Sequence, residues 1–183
     1  MRIGLSGTPG TGKTSVASLL QKKGFTVLSV NDLASTHGFY QGIDKKRNTK
    51  ILDLARINIY IRRLEPSSEF LFIEGHAAHL LTAVDKVILL RCHPQVLQKR
   101  LQQKGWSQKK IQENVDAEIL DIILCEATDN HLKRDLFEID TTEKTVKEIV
   151  TIILKILKNN FKPTKTYSIG QIDWSEEILK EFP

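Results

Sequence analysis

Short apolar runs alternate along the chain with segments in which apolar residues recur every three or four positions. This alternation is typical of a parallel β-sheet whose strands are joined by crossover helices. The apolar runs predict five strands, at residues 2–6, 25–30, 70–73, 87–90 and 136–140. Residues 70–73 and 87–90 are apolar throughout, which favours central strands covered on both faces. We therefore predict an α/β fold with a parallel five-stranded sheet.

Helical spacing, with proline and capping residues at the ends, predicts the connections between these strands. The predicted helices run from Lys13 to a stop at Gly24, from 51 to 64 before Pro66, from Pro94 to 101, along the apolar positions 111 to 123, and from a cap at Thr141 or Thr142 to 157. Residues 31–50 are polar, basic and interrupted by glycine, and they are predicted to form an irregular insertion. In the tail, residues 173–176 have the spacing of a capping box, which predicts a short terminal helix.

Composition places the chain among ordinary globular domains. Its 183 residues suit a single domain, 1–183, and no apolar run approaches the roughly 20 residues of a membrane helix, so no membrane partner is expected. The two cysteines, Cys92 and Cys125, form no CxxC unit and are expected to be buried thiols in a reducing, cytoplasmic compartment. The net charge of +5 favours anionic partners such as nucleotides or RNA without deciding between them.

One motif carries chemistry. Residues 7–14 read Gly-Thr-Pro-Gly-Thr-Gly-Lys-Thr, and they fit G-x-x-x-x-G-K-[ST] without a mismatch between a predicted strand and a predicted helix. In such a P-loop the glycines let backbone N–H groups point at a β-phosphate, and the helix N-terminus adds positive potential. We expect Lys13 to reach the β- and γ-phosphates of ATP and the Thr14 hydroxyl to bind Mg²⁺.

A P-loop also needs a carboxylate at the end of a neighbouring strand, and Glu74 follows the apolar run 70–73. His76 and His79 come next. A histidine here can orient the phosphoryl acceptor or a water, or it can be a loop residue that caps backbone groups, and the residues alone favour the second interpretation. No N-K-x-D guanine-binding motif occurs, and the chain is too short for the large ring ATPases. The remaining layout is that of a small kinase with a basic lid that excludes water from ATP.

The sequence resembles the archaeal and eukaryotic nuclear adenylate kinase family, the sixth adenylate kinase isoenzyme group, also called coilin-interacting nuclear ATPase proteins. The resemblance covers about residues 2–157, and five stretches carry it: 7–15, 31–34, 51–53, 74–76 and 105–114. The last stretch, Gly-Trp-Ser-Gln-Lys-Lys-Ile-Gln-Glu-Asn, is the most specific after the P-loop. The resemblance implies a three-layer P-loop NTPase fold with a core (1–29, 54–102 and 114–183), a small AMP-binding insertion (30–53) and a short lid (103–113).

The resemblance also implies roles for individual residues. It implies that catalysis involves Lys13, Glu74 and His76, and that Mg²⁺ is held by Thr14 and Glu74. ATP contacts are implied for Gly10, Gly12, Lys13, Thr14 and Ser15, with Lys104 and Arg100 near the lid. Arg100 can equally be a residue of the helix surface, and Trp106 can stack on adenine or pack at the root of the lid.

Three positions depart from the family pattern. Glu74 stands where many members have aspartate. Lys104 stands where members often have a lid arginine, so the positive charge is kept but the planar guanidinium group, which can make two parallel hydrogen bonds, is lost. Ser35 stands where some relatives have an arginine directed at AMP, and Arg47 or Arg56 can substitute for it. The acceptor is therefore less securely predicted than the donor.

Three functions stay open at this point. The first is an adenylate kinase that makes two ADP from ATP and AMP, with ATPase activity. The second, implied by the resemblance, is an ATP-driven factor for maturation of the small ribosomal subunit, cytoplasmic or, in a eukaryote, nuclear. The expected partners are ATP, ADP, AMP, a platform ribosomal protein at the acidic residues Glu113, Asp116 and Glu118, and rRNA at the basic residues Lys45, Lys46, Arg47 and Lys50. The third is a kinase for another small acceptor, and a monomer is expected in each case.

Overall fold

The computed structural model describes residues 1–44, 49–65 and 68–177. Its centre is a parallel five-stranded sheet, as the sequence predicted, and the structure gives the strand order β2-β5-β1-β6-β7. The strands are β1 (Arg2–Ser6), β2 (Thr26–Ser29), β5 (Leu71–Glu74), β6 (Lys86–Arg91) and β7 (Leu136–Asp140). Two further strands, β3 (Tyr40–Asp44) and β4 (Thr49–Leu52), pair outside this sheet.

Helices cover both faces of the sheet and give three layers. The helices are α1 (Lys13–Lys22), α2 (Val30–His37), α3 (Leu54–Arg63), α4 (Pro94–Gln103), α5 (Gln108–Ile119), α6 (Ile122–Asn130) and α7 (Val146–Lys158). Alternate strand residues face opposite layers because successive side chains of a strand point to opposite sides. Ile3, Leu5 and Ile88 pack with α1 and α7, while Ile73 and Leu89 pack with α2, α3 and α6.

The insertion is regular, and the prediction that 31–50 is irregular was wrong. The Ser29 hydroxyl caps α2 by accepting from the Asp32 N–H at 3.2 Å, and Gly38 ends the helix in the left-handed conformation. An antiparallel hairpin, β3–β4, follows. The helix predicted from 51 begins only at Leu54, because residues 51–52 belong to β4. Pro66, Lys45, Lys46 and Arg47 lie outside the described residues.

The long helix predicted through 111–123 is broken into α5 and α6 at Asp121, whose φ is +53°. The cap predicted for the last helix is also corrected: Thr145, not Thr141 or Thr142, forms a capping box with Glu148. Thr141 is instead fully buried, and its hydroxyl donates to the carbonyl of Thr11 or Arg91. Cys92 is buried as predicted, whereas Cys125 is exposed.

The tail returns along the edge strand β7, where the Glu138 N–H donates to the Tyr167 carbonyl at 3.0 Å. Helical residues begin at Ser175, whose N–H donates to the Asp173 side chain at 2.8 Å. The rest of the predicted terminal helix lies outside the described residues. Across the ranges that the structure describes, no helix is both long and apolar enough to cross a membrane.

Candidate active site

The loop between β1 and α1 needs glycine for two physical reasons. Gly7 has φ +140°, and a Cβ there would lie 2.2 Å from the Leu90 carbonyl oxygen. Gly10 has φ +100°, and a Cβ would lie 2.8 Å from a Leu97 methyl group. Left-handed backbone and close approach together exclude other residues at both positions. The loop consequently sits tightly on β6 and α4, and it leads directly into the N-terminus of α1.

Lys13 occupies the interior of this loop. Its Nζ donates to the carbonyl oxygens of Gly7 at 2.7 Å and Thr8 at 3.0 Å, and the residue is only 8% exposed. Burial lowers the pKa of Lys13 from 10.5 to about 8, although the nearby Glu74 carboxylate opposes the shift. An incompletely solvated ammonium group at this place is available to phosphate oxygens, which can replace the two carbonyls as partners.

Thr14 and Glu74 meet because β1 and β5 are neighbours in the sheet. Glu74 ends β5 opposite Leu5, and the Thr14 hydroxyl donates to Glu74 Oε1 at 3.3 Å. A hydroxyl and a carboxylate are hard oxygen donors, which Mg²⁺ prefers, and Mg²⁺ usually takes one or two protein ligands together with phosphates and waters. No cluster of three or more acidic, histidine or cysteine ligands occurs within the described ranges. The pair therefore fits a magnesium ion that is shared with a nucleotide.

A cavity of about 460 Å³ opens in front of the loop and brings most of the predicted site residues together. Its wall includes Gly10, Gly12, Lys13, Thr14, Ser15, Glu74, His76 and Lys104. The opposite side of the wall is formed by Trp106 and by α5, through Lys110 and Asn114. The Lys110 Nζ lies 3.9 Å from the centre of the Trp106 ring. Cations and an aromatic ring thus face the P-loop across a space of nucleotide dimensions.

The two histidines of this region have different surroundings. His76 lines the cavity, and burial, followed by the charge of Lys13, lowers its pKa, which favours the neutral ring at pH 7. His79 is buried, with Nδ1 2.9 Å from the Ser6 hydroxyl and Nε2 2.8 Å from Glu126. Burial lowers the pKa of His79 despite the opposing Glu126, so in this contact the neutral ring donates its Nε2–H to the Glu126 carboxylate. His79 therefore joins side chains inside the fold, and its ring also hydrogen-bonds the backbone of His76, as expected of a loop histidine that caps backbone groups.

Arg100 lies away from the cavity wall. Its Nη2 donates to the carbonyls of Thr141 at 2.8 Å and Thr142 at 3.0 Å. The structure therefore brings Arg100 to the loop after β7, and not into the group of side chains around Lys13. An ATP contact for Arg100 stays a prediction.

A second cavity of about 400 Å³ adjoins the insertion and shares Thr14, Asn31 and Glu74 with the first. From α3, directly after the insertion, Arg56 donates to the Gly38 carbonyl at 3.3 Å and lies over the Phe39 ring. Of the two arginines proposed to replace the one directed at AMP, Arg56 is therefore held against residues of the insertion. Thr14 and Glu74 thus stand between two spaces, one facing Trp106 and α5 and one beside α2.

Relatives of known family match the chain over nearly its full length. A protein named "Putative adenylate kinase" from Archaeoglobus fulgidus is 39% identical over 185 residues, covering 100% of this chain and 98% of the relative. One of the same name from Methanocaldococcus jannaschii is 34% identical and covers 98% and 96%. The chain belongs to the family of these archaeal proteins named "Putative adenylate kinase". A model of the AAA domain family also matches residues 3–121.

Solved structures support the fold at lower similarity. A shikimate kinase from Acinetobacter baumannii superposes with a TM-score of 0.57 over 87% of this chain and 93% of its own length, at 17% identity. One from Bacteroides thetaiotaomicron gives a TM-score of 0.54 at 15% identity, covering 86% of this chain and 98% of its own. Both of these shikimate kinases have the P-loop kinase fold, and this chain shares that fold. Membership of the nuclear, coilin-interacting group in particular stays a prediction.

Sequence reasoning missed three polar side chains of the wall: Asn31, Lys110 and Asn114. Lys110 and Asn114 had a usable signal, because positions four apart on a helix share one face. The acidic surface predicted around Glu113, Asp116 and Glu118 needs correction. Glu118 is only 2% exposed, since it turns inward toward Thr8 and Arg91, so it is not available to a partner protein.

Proposed function

We propose that this protein transfers the γ-phosphoryl group of Mg-ATP to AMP and forms two molecules of ADP. The observation that carries the proposal is the position of Thr14 and Glu74, which stand in the walls of both cavities. A donor nucleotide in the first space and an acceptor in the second would meet at this pair. The name of the archaeal relatives supports AMP as the acceptor.

The side chains have separate tasks in this reaction. Bound Mg²⁺ would neutralise charge on the transferring phosphoryl group, and Thr14 and Glu74 would hold it. Lys13 places a positive charge where the β- and γ-phosphates lie, which stabilises charge that develops in the transition state. The neutral ring of His76 can donate its N–H to an oxygen of the attacking phosphate and so orient it. Lys104 and Trp106 would cover the nucleotide and exclude water.

Two other functions compete with this one. ATP hydrolysis, alone or as part of a cycle in small-subunit maturation, needs the same donor site but no acceptor. That role stays a prediction from the family resemblance, and three of the basic residues suggested for rRNA contact, Lys45, Lys46 and Arg47, lie outside the described residues. A different small acceptor, such as a nucleoside or dephospho-coenzyme A, would occupy the second cavity instead of AMP.

Product analysis separates the three. Purified protein with Mg-ATP is assayed with and without AMP, and ADP and inorganic phosphate are quantified separately. We expect AMP-dependent ADP formation that exceeds phosphate release. Phosphate release that AMP does not change would favour the ATPase, and transfer to the other acceptors but not to AMP would favour the third function.

A matched pair of variants tests the site. Lys13→Ala should lower AMP-dependent ADP formation by at least about a hundredfold, as expected when a charge on the transferring group is removed. Lys22→Ala removes an exposed lysine from the far end of the same helix and serves as the control. Equal ADP formation by Lys13→Ala and Lys22→Ala would refute the assigned P-loop.

A further inference from the structure

Glu118 is a buried carboxylate that joins α5 to the P-loop. Its Oε2 accepts a hydrogen bond from the Thr8 hydroxyl, and its Oε1 accepts from Arg91 Nε at 2.8 Å and from the Cys92 N–H at 3.1 Å. Thr8 is 1% exposed and lies in the P-loop, while Arg91 ends β6. Both carboxylate oxygens thus have partners, so burial leaves no orphaned acceptor.

Arg91 fixes Glu118 firmly in place. Its guanidinium group, 2% exposed, also contacts Asp121 and Glu138, and its Nη2 donates to the Glu118 carbonyl at 3.3 Å. The C-terminal end of α5 is therefore held by Arg91 through both the carboxylate and the backbone carbonyl of Glu118. Removing one partner from such a buried charged network is strongly destabilising. This end of α5 is consequently a fixed point of the fold.

The other end of α5 belongs to the lid. Lys110, Asn114 and Glu118 follow each other at intervals of four residues, so they lie along one face of the helix. Lys110 is exposed and Asn114 is partly buried, and both line the cavity, whereas Glu118 is buried on Thr8. At 1.5 Å per residue the lysine and the glutamate are about 12 Å apart along the helix axis.

We propose that Glu118 is a positioning residue that couples the lid to the P-loop through its hydrogen bond with Thr8. The rigid helix transmits the position of Lys110, whose Nζ lies over the Trp106 ring, to the Thr8 hydroxyl, so the lid closes on a nucleotide only while the P-loop holds its binding shape. The inference rests on the proposed ATP site and not on the identity of the acceptor.

The test is a double-mutant cycle on nucleotide binding, without AMP and without turnover. Thr8→Val removes the hydroxyl but leaves Glu118 paired with Arg91 and Cys92. Lys110→Ala removes the lid cation. The dissociation constant of a non-hydrolysable ATP analogue with Mg²⁺ is measured by titration calorimetry, and Trp106 fluorescence reports the lid.

We expect Lys110→Ala to weaken binding about tenfold in the wild-type background and threefold or less in the Thr8→Val background, since coupling between sites commonly reaches this size. The analogue should change Trp106 fluorescence less in Thr8→Val than in wild type. Thr8→Ser restores the hydroxyl and should restore the tenfold effect.

Thr11→Val is the matched control. Its buried hydroxyl donates to the Thr8 carbonyl at 2.9 Å inside the same loop and makes no contact with α5. Lys110→Ala should keep its tenfold effect in this background. If Thr8→Val does not fold, Thr8→Ala takes its place in the same cycle, with the same expected loss of coupling, because it also removes the hydroxyl and leaves Glu118 paired with Arg91 and Cys92.

An equal effect of Lys110→Ala in the wild-type, Thr8→Val and Thr11→Val backgrounds would overturn the proposal and leave Glu118 a structural residue. Failure of the proposed function looks different. In that case the wild-type protein itself would not bind the analogue, or it would bind the analogue and form no ADP from AMP.

Discussion

Raising the pH above 8 should stabilise the wild-type protein relative to a Lys13→Met variant when no nucleotide is added. Burial lowers the pKa of Lys13 to about 8, while the unfolded chain keeps the ordinary value of 10.5. Between these values the unfolded chain binds more protons than the folded one. The contribution of Lys13 to the free energy of unfolding therefore rises with pH across this window, and it is flat below pH 8 and above pH 10.5.

The size of the effect follows from the pKa difference. A difference of about 2.5 pH units at about 1.4 kcal/mol per unit gives about 3 kcal/mol. Solvent screening reduces this little, because Lys13 is only 8% exposed. Cys92 has the opposite effect on the pH dependence of stability. Burial raises the pKa of its thiol from 9.0 to about 11, so between these values the folded chain binds more protons than the unfolded chain and stability falls as the pH rises. Comparison with the Lys13→Met variant cancels the contribution of Cys92.

The assay is urea unfolding of both proteins at pH 7 and pH 10.5. The difference in unfolding free energy between wild type and variant should shift by about 3 kcal/mol in favour of wild type. A difference that changes by less than about 0.5 kcal/mol between the two pH values would refute the burial argument. Phosphates should raise the pKa of Lys13, so ATP affinity should fall by up to about tenfold per pH unit above 8.

Three further variants test the chemistry and the lid. Glu74→Gln should lower kcat by about a hundredfold and raise KM far less, because a Mg²⁺ ligand acts mainly on the transition state. Steady-state assays measure both constants, and Glu69→Gln, at an exposed site, is the control. If His76→Ala keeps the wild-type kcat, His76 is a loop residue without a catalytic part. Lys104→Ala should weaken ATP binding and raise the share of the γ-phosphoryl group that is released to water as phosphate. The control is Lys109→Ala, which removes an exposed lysine of the same lid that is outside the cavity wall. A Lys104→Ala enzyme with unaltered ATP binding and phosphate release would contradict the lid role.

The parts of the fold that the sequence predicted correctly are those whose signal is local. The strands β5 and β6 contain continuous apolar runs, at 71–73 and 87–90, because both faces of a central sheet are buried, and β1 and β7 are buried along most of their length. The P-loop is contiguous, and its flanking strand and helix are where the pattern placed them. Chemistry that depends on neighbouring residues in the chain can be seen without knowing the fold.

The errors have non-local causes. The hairpin β3–β4 is largely exposed, so its sequence shows no alternation of apolar and polar residues. Apolar residues continue at helical spacing across Asp121, where the chain nevertheless leaves the helix with a positive φ. The contact between Asp121 and Arg91, thirty residues away, accompanies that break. Periodicity within a window cannot report a partner on another strand.

The buried charges at the carboxyl end of the sheet show where a sharper prediction was possible. A glutamate on a helix normally indicates a solvated face, and Glu118 was assigned to one. Yet Glu118 lies directly before Ile119, at the end of a face on which Ile111, Val115 and Ile119 are buried. A carboxylate at such a position must find donors inside the protein, because an unpaired buried charge is costly. Lys110 and Asn114, which precede Glu118 by eight and four residues, line the cavity, so the donors to Glu118 lie beside the candidate nucleotide site.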